Sequence, residues 1–416
     1  MKNLFFCSIF CLLFIMCSKV DDDKVGQHLL KESEASLTLT TKQTAMVHQN
    51  NAFAFRLLNS MAKVNVKSFL FSPLSTTYAL GMAAQGAVGT TRDEIINTLG
   101  IGGSQDELNR FCMNLLYRSL YADPEVTIQN ANIALVNNGT LLTDEFSSAL
   151  ADYYDALSLS LDLRNVKATV EYINNWASIH TDGIIPRLLT DKMTDELQGD
   201  IYLLNSMAFA GKWSCPFSDS EIEERLFNKT NVESSMIPML TRTEILRYSE
   251  TETETMIQLP YGQGKYIMSF ILPEADISID DYLQHFSIDT WTSLTRESFR
   301  TERVHYAFPT FETQTETLLE DILEEMGIQV AFHGSADFSN MTKTKVSLSK
   351  IFQSCKINVD EKGTLAASAT AAVINEVIDG EEDQRKIFDF TADRPFMYVI
   401  SDTETDTIFF IGCFRG

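Results

Sequence analysis

The sequence predicts an α+β domain with largely antiparallel sheets. Three observations carry that prediction. Helix signals crowd the first half of the chain and strand signals dominate later. No repeating strand–helix alternation joins them. No Pro/Gly/Ser-rich linker or internal repeat divides residues 46–416, so one large domain is expected there. The 416 residues are 44% hydrophobic and 22% charged, enough apolar material for a large core.

The elements follow in order. Met1-Lys2-Asn3 precedes an apolar run from Leu4 to Met16, then Cys17 and Ser18. One positive charge, a short apolar stretch and small residues read as a secretory signal over 1–18, cut after Cys17 or Ser18. The run is too short to span a bilayer comfortably, and no later segment is long and apolar enough, so a soluble, secreted, extracellular product is expected. A lipoprotein anchor at Cys17 would need small residues where Phe14-Ile15-Met16 stand. Residues 19–45 read as a polar N-terminal tail. Phe53, Leu57 and Met61 then recur on one helix face. Ser72-Pro73 is a cap followed by proline at the first helical position. Thr91-x-x-Glu94 reads as a capping box and Gly100 as a stop. Thr143 caps a helix with Phe146, Leu150 and Tyr153. Tyr172, Ile173, Trp176 and Ile179 mark another helix. Leu318, Leu319, Ile322, Leu323 and Met326 mark one more, stopped by Gly327. Ile201–Leu204, Tyr266–Leu272, Val304–Phe311, Phe396–Ile400 and Ile408–Phe414 read as strands. Gly262-Gln263-Gly264-Lys265 reads as a hairpin turn.

Charge and motifs exclude several functions. Asp and Glu number 57 against 33 Lys and Arg, a formal net charge of −24. No stretch concentrates the basic residues, which argues against nucleic acid, anionic membranes and polyanionic sugars as partners. The six histidines form no HExxH, and GxSxG, a Walker loop and GxGxxG are absent, so neither an enzyme nor a metal or cofactor site is expected. Cys7, Cys11 and Cys17 leave with the signal. Cys112, Cys215, Cys355 and Cys413 are far apart with no CxxC; they are either buried thiols or up to two disulfides. Three sequons, at Asn138, Asn228 and Asn340, predict a glycosylated protein behind the signal.

Residues 360–380 depart from ordinary composition. From Thr364 to Ala372 the ribbon holds only small residues apart from Leu365, with no proline and no charge. At period two, one face carries Thr364, Ala366, Ser368, Thr370, Ala372 and Ile374. That face can slide between two strands without burying a charge until Glu376. Alanine also favours helix, but a surface helix needs more polar residues than this run has. Gly363 offers a pivot.

With Phe71-Ser72-Pro73-Leu74-Ser75, Asn205 to Trp213, Met236-Ile237-Pro238-Met239, Ile257 to Tyr261, Met326-Gly327-Ile328 with Ala336 to Ser339, and Asp393-Arg394-Pro395-Phe396, the chain resembles a serpin over roughly 46–416. Asp360-Glu361-Lys362-Gly363-Thr364 and the ribbon behind it resemble an inhibitory hinge. The resemblance implies three β-sheets, about nine helices and an exposed reactive centre loop, here about 361–392. It implies a monomeric serine protease inhibitor, not an enzyme and without cofactor, whose partner is its target protease. The protease cuts the loop and becomes acylated. The hinge half then inserts into the large sheet and traps it, an established example of strand addition. Hinge residues would be Glu361, Gly363, Thr364, Ala366, Ala367, Ser368, Ala369 and Thr370. Family spacing puts the cut bond at Val377–Ile378, suiting elastase- or chymotrypsin-like enzymes. The alternative is Arg385–Lys386 and trypsin-like enzymes, with a non-inhibitory carrier or chaperone and a trap for cysteine proteases as further readings. Ser72, Pro73, Ser75 and Asn205 match the family's shutter, with Gln353 where a histidine is usual. Trp213 matches the tryptophan at the top of the large sheet, the breach. The stretch that binds heparin in some serpins, here about 104–122, offers only Arg110 and Arg118, so heparin activation is not expected.

Overall fold

The computed structural model describes residue 31 and residues 34–189, 199–230, 232–364 and 386–416. Among them are nine α-helices and fifteen strands. Helix α1 (Thr41–Val64) buries the Phe53, Leu57 and Met61 stripe and is entered through a capping box between Thr40 and Gln43. The expected 19–45 tail is therefore shorter at its C-terminal end. Leu39 packs on the core, the Ser36 N–H donates to Asn114 and Arg118 donates to the Leu37 carbonyl. Helix α2 (Pro73–Gly86) starts at the Ser72–Pro73 cap and buries every residue except Gln85.

Helix α3 (Gly89–Leu99) ends at Gly100 in the left-handed region, as read. Its start is a correction. Thr91 and Glu94 lie inside the helix, and Val88 is the cap residue. The Thr91 hydroxyl accepts from the Asp337 N–H, and the Glu94 carboxylate accepts from the Gln329 and Val330 N–H groups. The pair organises a neighbouring loop instead of its own helix. Helices α4 (Gln105–Tyr121), α5 (Asp144–Tyr154) and α6 (Val166–His180) follow. Thr143 caps α5, whereas Ile179 on α6 faces solvent. Short helices α7 (Ile279–His285), α8 (Ile288–Thr292) and α9 (Glu320–Glu325) complete the set. The expected 318–326 helix is shortened because Leu318 pairs with Phe352 as the last residue of a strand. No helix among the described residues is long and apolar enough to cross a membrane.

One sheet has six strands in the order β10-β11-β12-β4-β2-β3. These are Phe311–Leu318, Leu348–Val359, Gly363–Thr364, Ile201–Lys212, Val126–Asn137 and Ala156–Leu161. Strands β11 and β4 are parallel, as are β2 and β3; the remaining pairs are antiparallel. The second sheet has nine strands in two lobes. One lobe holds β1 (Phe69–Phe71), β15 (Ile408–Phe414), β14 (Phe396–Asp402), β8 (Tyr266–Pro273) and β7 (Glu254–Tyr261). The other holds β5 (Ile222–Asn228), β6 (Ser234–Glu250), β9 (Arg300–Pro309) and β13 (Ile387–Thr391). Only Arg247–Glu250 of the long β6 pair with β7, so the three expected sheets are one six-stranded sheet and two lobes joined by a short seam. The run read as one strand, Val304–Phe311, breaks at Thr310 and serves both sheets through β9 and β10.

Candidate functional site

Strands β11 and β4 run side by side from Leu348 and Ile201 up to Lys356 and Ala208. Above that point they part, and β12 stands between them. Thr364 pairs with Val359 on one side and Gly211 on the other, antiparallel to both. The turn into β12 is made by Asp360, whose side chain accepts from the Lys362 and Gly363 N–H groups. Gly363 has φ +151, and a Cβ there would lie 2.2 Å from the Gly211 carbonyl oxygen. Glycine is thus required by close backbone approach as well as by torsion. Thr364 is fully buried and its hydroxyl meets the Tyr261 hydroxyl at 2.5 Å.

Trp213 holds the turn from the other side. Its backbone N–H donates to the Lys362 carbonyl and its indole Nε1–H to the Asp360 carbonyl, both at 2.9 Å. The ring stacks on Tyr261 at 4.4 Å, so one aromatic pair touches both ends of the hinge turn. A further clamp carries no sequence motif. The Phe217 N–H donates to the Glu361 carbonyl. Arg242 lies over the Phe217 ring, donates to the Cys215 and Pro216 carbonyls, and pairs with Glu221 at 2.6 Å. Hydrogen bonds from Arg242, opposed in part by desolvation, pull the Glu221 carboxyl down to about 2. Arg242 is an ordinary alternating position of β6 and Glu221 ends a short 3-10 turn, Asp219–Glu221, so nothing in the sequence tied the two together.

Lower in the sheet the shutter residues converge, as the spacing of their motifs did not by itself require. The Gln353 side-chain amide donates to the Ser72 carbonyl at 2.8 Å, to Thr76 Oγ1 at 3.0 Å and to Ser75 Oγ at 3.2 Å. Its carbonyl oxygen accepts from the Ser72 N–H at 3.0 Å. Ser75 Oγ donates to Asn205, whose own amide donates to Asn130 and Asn132. Asn130, Asn132 and Thr76 complete a buried network that the sequence reading had only half assembled. Pro73 begins α2 beside it. Gln353 and Asn205 are direct cross-strand partners. Their sequence offset of 148 is the offset of Val359 and Gly211, where Thr364 stands between the strands. The two flanking strands therefore keep one register whether they touch or admit a guest.

The remaining expected residues fall in separate places. Residues 1–18, Ala366, Ala367, Ser368, Ala369, Thr370, Val377, Ile378 and Arg385 lie outside the described residues. Lys386 is exposed, with its Nζ 4.5 Å from the centre of the Phe388 ring. Asn138, Asn228 and Asn340 are all exposed. Cys112, Cys355 and Cys413 are buried free thiols and Cys215 an exposed one, so no disulfide joins these four. Burial raises the Cys355 and Cys413 thiols to about 12. On α4, Arg110 pairs with Asp106 and Glu34, and the buried Arg118 pairs with Asp402 and Glu404.

With this geometry in place, the comparisons with known proteins point one way. A family model described as "Serpin (serine protease inhibitor)" matches residues 48–415. Serpin B6 of Pongo abelii is 29% identical over 381 residues, covering 89% of this chain and 99% of the relative. The native state of tengpin, a thermophilic serpin, superposes with a TM-score of 0.81 at 24% identity, covering 91% of this chain and 95% of that one. Human thyroxine-binding globulin complexed with thyroxine superposes with a TM-score of 0.80 at 25% identity, covering 90% and 99%.

Proposed function

The chain belongs to the serpin family, and from that premise we propose that it inhibits a serine protease by covalent trapping. A bond in the segment after Thr364 is cut, and the hinge strand inserts between β11 and β4 before the acyl bond can be hydrolysed. The observation that carries this reading is the seating of Gly363–Thr364 between the two strands, antiparallel to both, in a register that needs no slip to continue.

Continuing that register gives each ribbon residue its neighbours. Ala366 would enter between Ile357 and Phe209, Ser368 between Cys355 and Met207, Thr370 between Gln353 and Asn205, and Ala372 between Ile351 and Leu203. The neighbours at the first two levels and the last are apolar and buried, and the shutter level is polar. Thr370 would thus bring a hydroxyl to the one level that holds amides. β4 begins at Ile201, the level of Ile374. A slot of that length suits a cut at Val377–Ile378, since a cut at Arg385–Lys386 would leave Asp379, Glu381, Glu382 and Asp383 on the inserting piece. The same reading takes residues 1–18 as an export signal and the chain as a secreted monomer whose α4 gives heparin no basic face.

The test is to incubate the protein with elastase-, chymotrypsin- and trypsin-like enzymes. The expected result is a complex that survives a denaturing gel and a released peptide starting at Ile378. Cleavage by all three without a stable complex, and with no gain in heat stability, would instead favour a carrier. A peptide starting at Lys386 would move the reactive bond.

A further inference from the structure

The hairpin of β5 and β6 carries an exposed apolar face. Leu226 and Met236 are cross-strand partners and are 51% and 58% exposed. Val232, near the turn, is 97% exposed. β5 pairs only with β6 among the described residues, so it is a sheet edge. Open edges and apolar patches both invite association with other chains. The first half of β5 is guarded by charge through Glu223, Glu224 and Arg225. The second half, Leu226-Phe227-Asn228, carries no charged side chain; its Asn228 N–H donates to the Asp393 carbonyl, so the open edge there lies at Leu226.

Asn228 sits where the charges stop. Phe227 points into the core, so Leu226 and Asn228 project from the same outer face, and Ser234 opposite Asn228 lies on that face with Met236. Alternate residues on a strand are roughly 7 Å apart, within the span of one sugar ring. Asn228-Lys229-Thr230 is a sequon, and both Asn228 and Thr230 are exposed.

We infer that Asn228 carries an N-linked glycan whose inner sugars lie over the exposed Leu226–Met236 pair, and so prevent this face from associating. Glycans are bulky and solubilising, and a pyranose ring has an apolar face that can rest on aliphatic side chains. This goes beyond the inhibitory reading and rests only on export. Asn138 follows β2, with its N–H on the Leu161 carbonyl, and Asn340 stands next to the Leu142–Thr342 bridge, so both belong to other elements than this hairpin.

The experiment uses the full chain made in cultured eukaryotic cells. A second version carries an unrelated secretion leader in place of residues 1–18, so that a failure of the native leader is seen separately. Site occupancy is read by peptide mass after enzymatic deglycosylation. The expected outcome is an occupied Asn228. Asn228→Gln and Thr230→Ala should then raise fluorescence of an apolar-surface dye severalfold and shift part of the protein to dimers or larger species. Adding Leu226→Ser and Met236→Ser to Asn228→Gln should restore the wild-type dye signal and size. A secreted chain with Asn228 unmodified overturns the inference. So does an Asn228→Gln protein that matches wild type in both measurements. Protease trapping, assayed on the same samples, reports on the inhibitory reading independently.

Discussion

At the scale of single residues, the described end of the hinge is sensitive because Thr364 fills a closed site between β11 and β4. Thr364 is buried against Tyr261. An arginine there would have to leave its charge in a dry site or keep the hinge out of the sheet. On the inhibitory reading, Thr364→Arg is therefore expected to behave as a substrate: cleaved at the wild-type rate, but with no complex on a denaturing gel. A persistent complex would sink the idea. Glu221 gives a pH prediction. Its folded-state value, about 2, lies below the ordinary 4.5, chiefly because Arg242 donates to it. The stabilisation is thus present above about pH 4.5 and is lost as pH falls toward 2. Glu221→Gln should lower stability near neutral pH by about 1–2 kcal/mol, allowing for the pair's partial exposure. It should also flatten the decline between pH 4.5 and 2. Parallel melts of the two proteins across that range check this; identical slopes would refute it.

At the scale of elements, Gln353 joins β11 to the start of α2 through four hydrogen bonds. Gln353→Leu keeps the volume and removes the side chain's four bonds, leaving the buried Ser72 N–H without a bond, whereas the Ser72 carbonyl keeps the Thr76 N–H. The expected loss is about 2–4 kcal/mol in denaturant melts, with faster spontaneous loss of inhibitory activity on warming. A variant as stable and as long-lived as wild type would show that the sheet opens elsewhere. Elements also show what a sequence can and cannot reveal. The Ser72–Pro73 cap, the Thr143 cap, the Gly100 stop and the 262–265 turn were legible because each is a local contest settled by a few adjacent residues. The Thr91–Glu94 box was misread because its donors come from Asp337, Gln329 and Val330, far along the chain. The break at Thr310 was invisible for a related reason: alternation records which face is buried, not which sheet buries it. The hinge composition was plain in the sequence, but its seating beside Gly211 was not. Arg242 left no local mark, and Ser218-x-x-Glu221 has the spacing of a capping box but says nothing of Arg242.

At the scale of the whole molecule, the fold holds a sheet whose central pair has two compatible arrangements. β11 and β4 touch from Lys356 and Ala208 downward and are wedged apart above by Gly363–Thr364, with a single offset from Val359 and Gly211 down to Lys350 and Tyr202. A change between the two arrangements costs the direct β11–β4 bonds and gains two new ladders, one on each side of the guest strand. Each inserted residue contributes on the order of 1 kcal/mol net, so a ribbon reaching the level of Ile201 contributes on the order of 10 kcal/mol. With an unfolding entropy of about 2 cal/mol/K per residue, a chain of this size should then melt on the order of ten degrees higher after cleavage. The native melt is a rate-limited event, so both forms must be heated at the same rate. The comparison is internally controlled by Thr364→Arg, which is cut but should not insert: its cleaved form is expected to melt close to its uncut form. A cleaved wild type that gains nothing would mean that the slot between β11 and β4 stays shut, and the two-residue wedge at its top would then be a fixed part of the sheet.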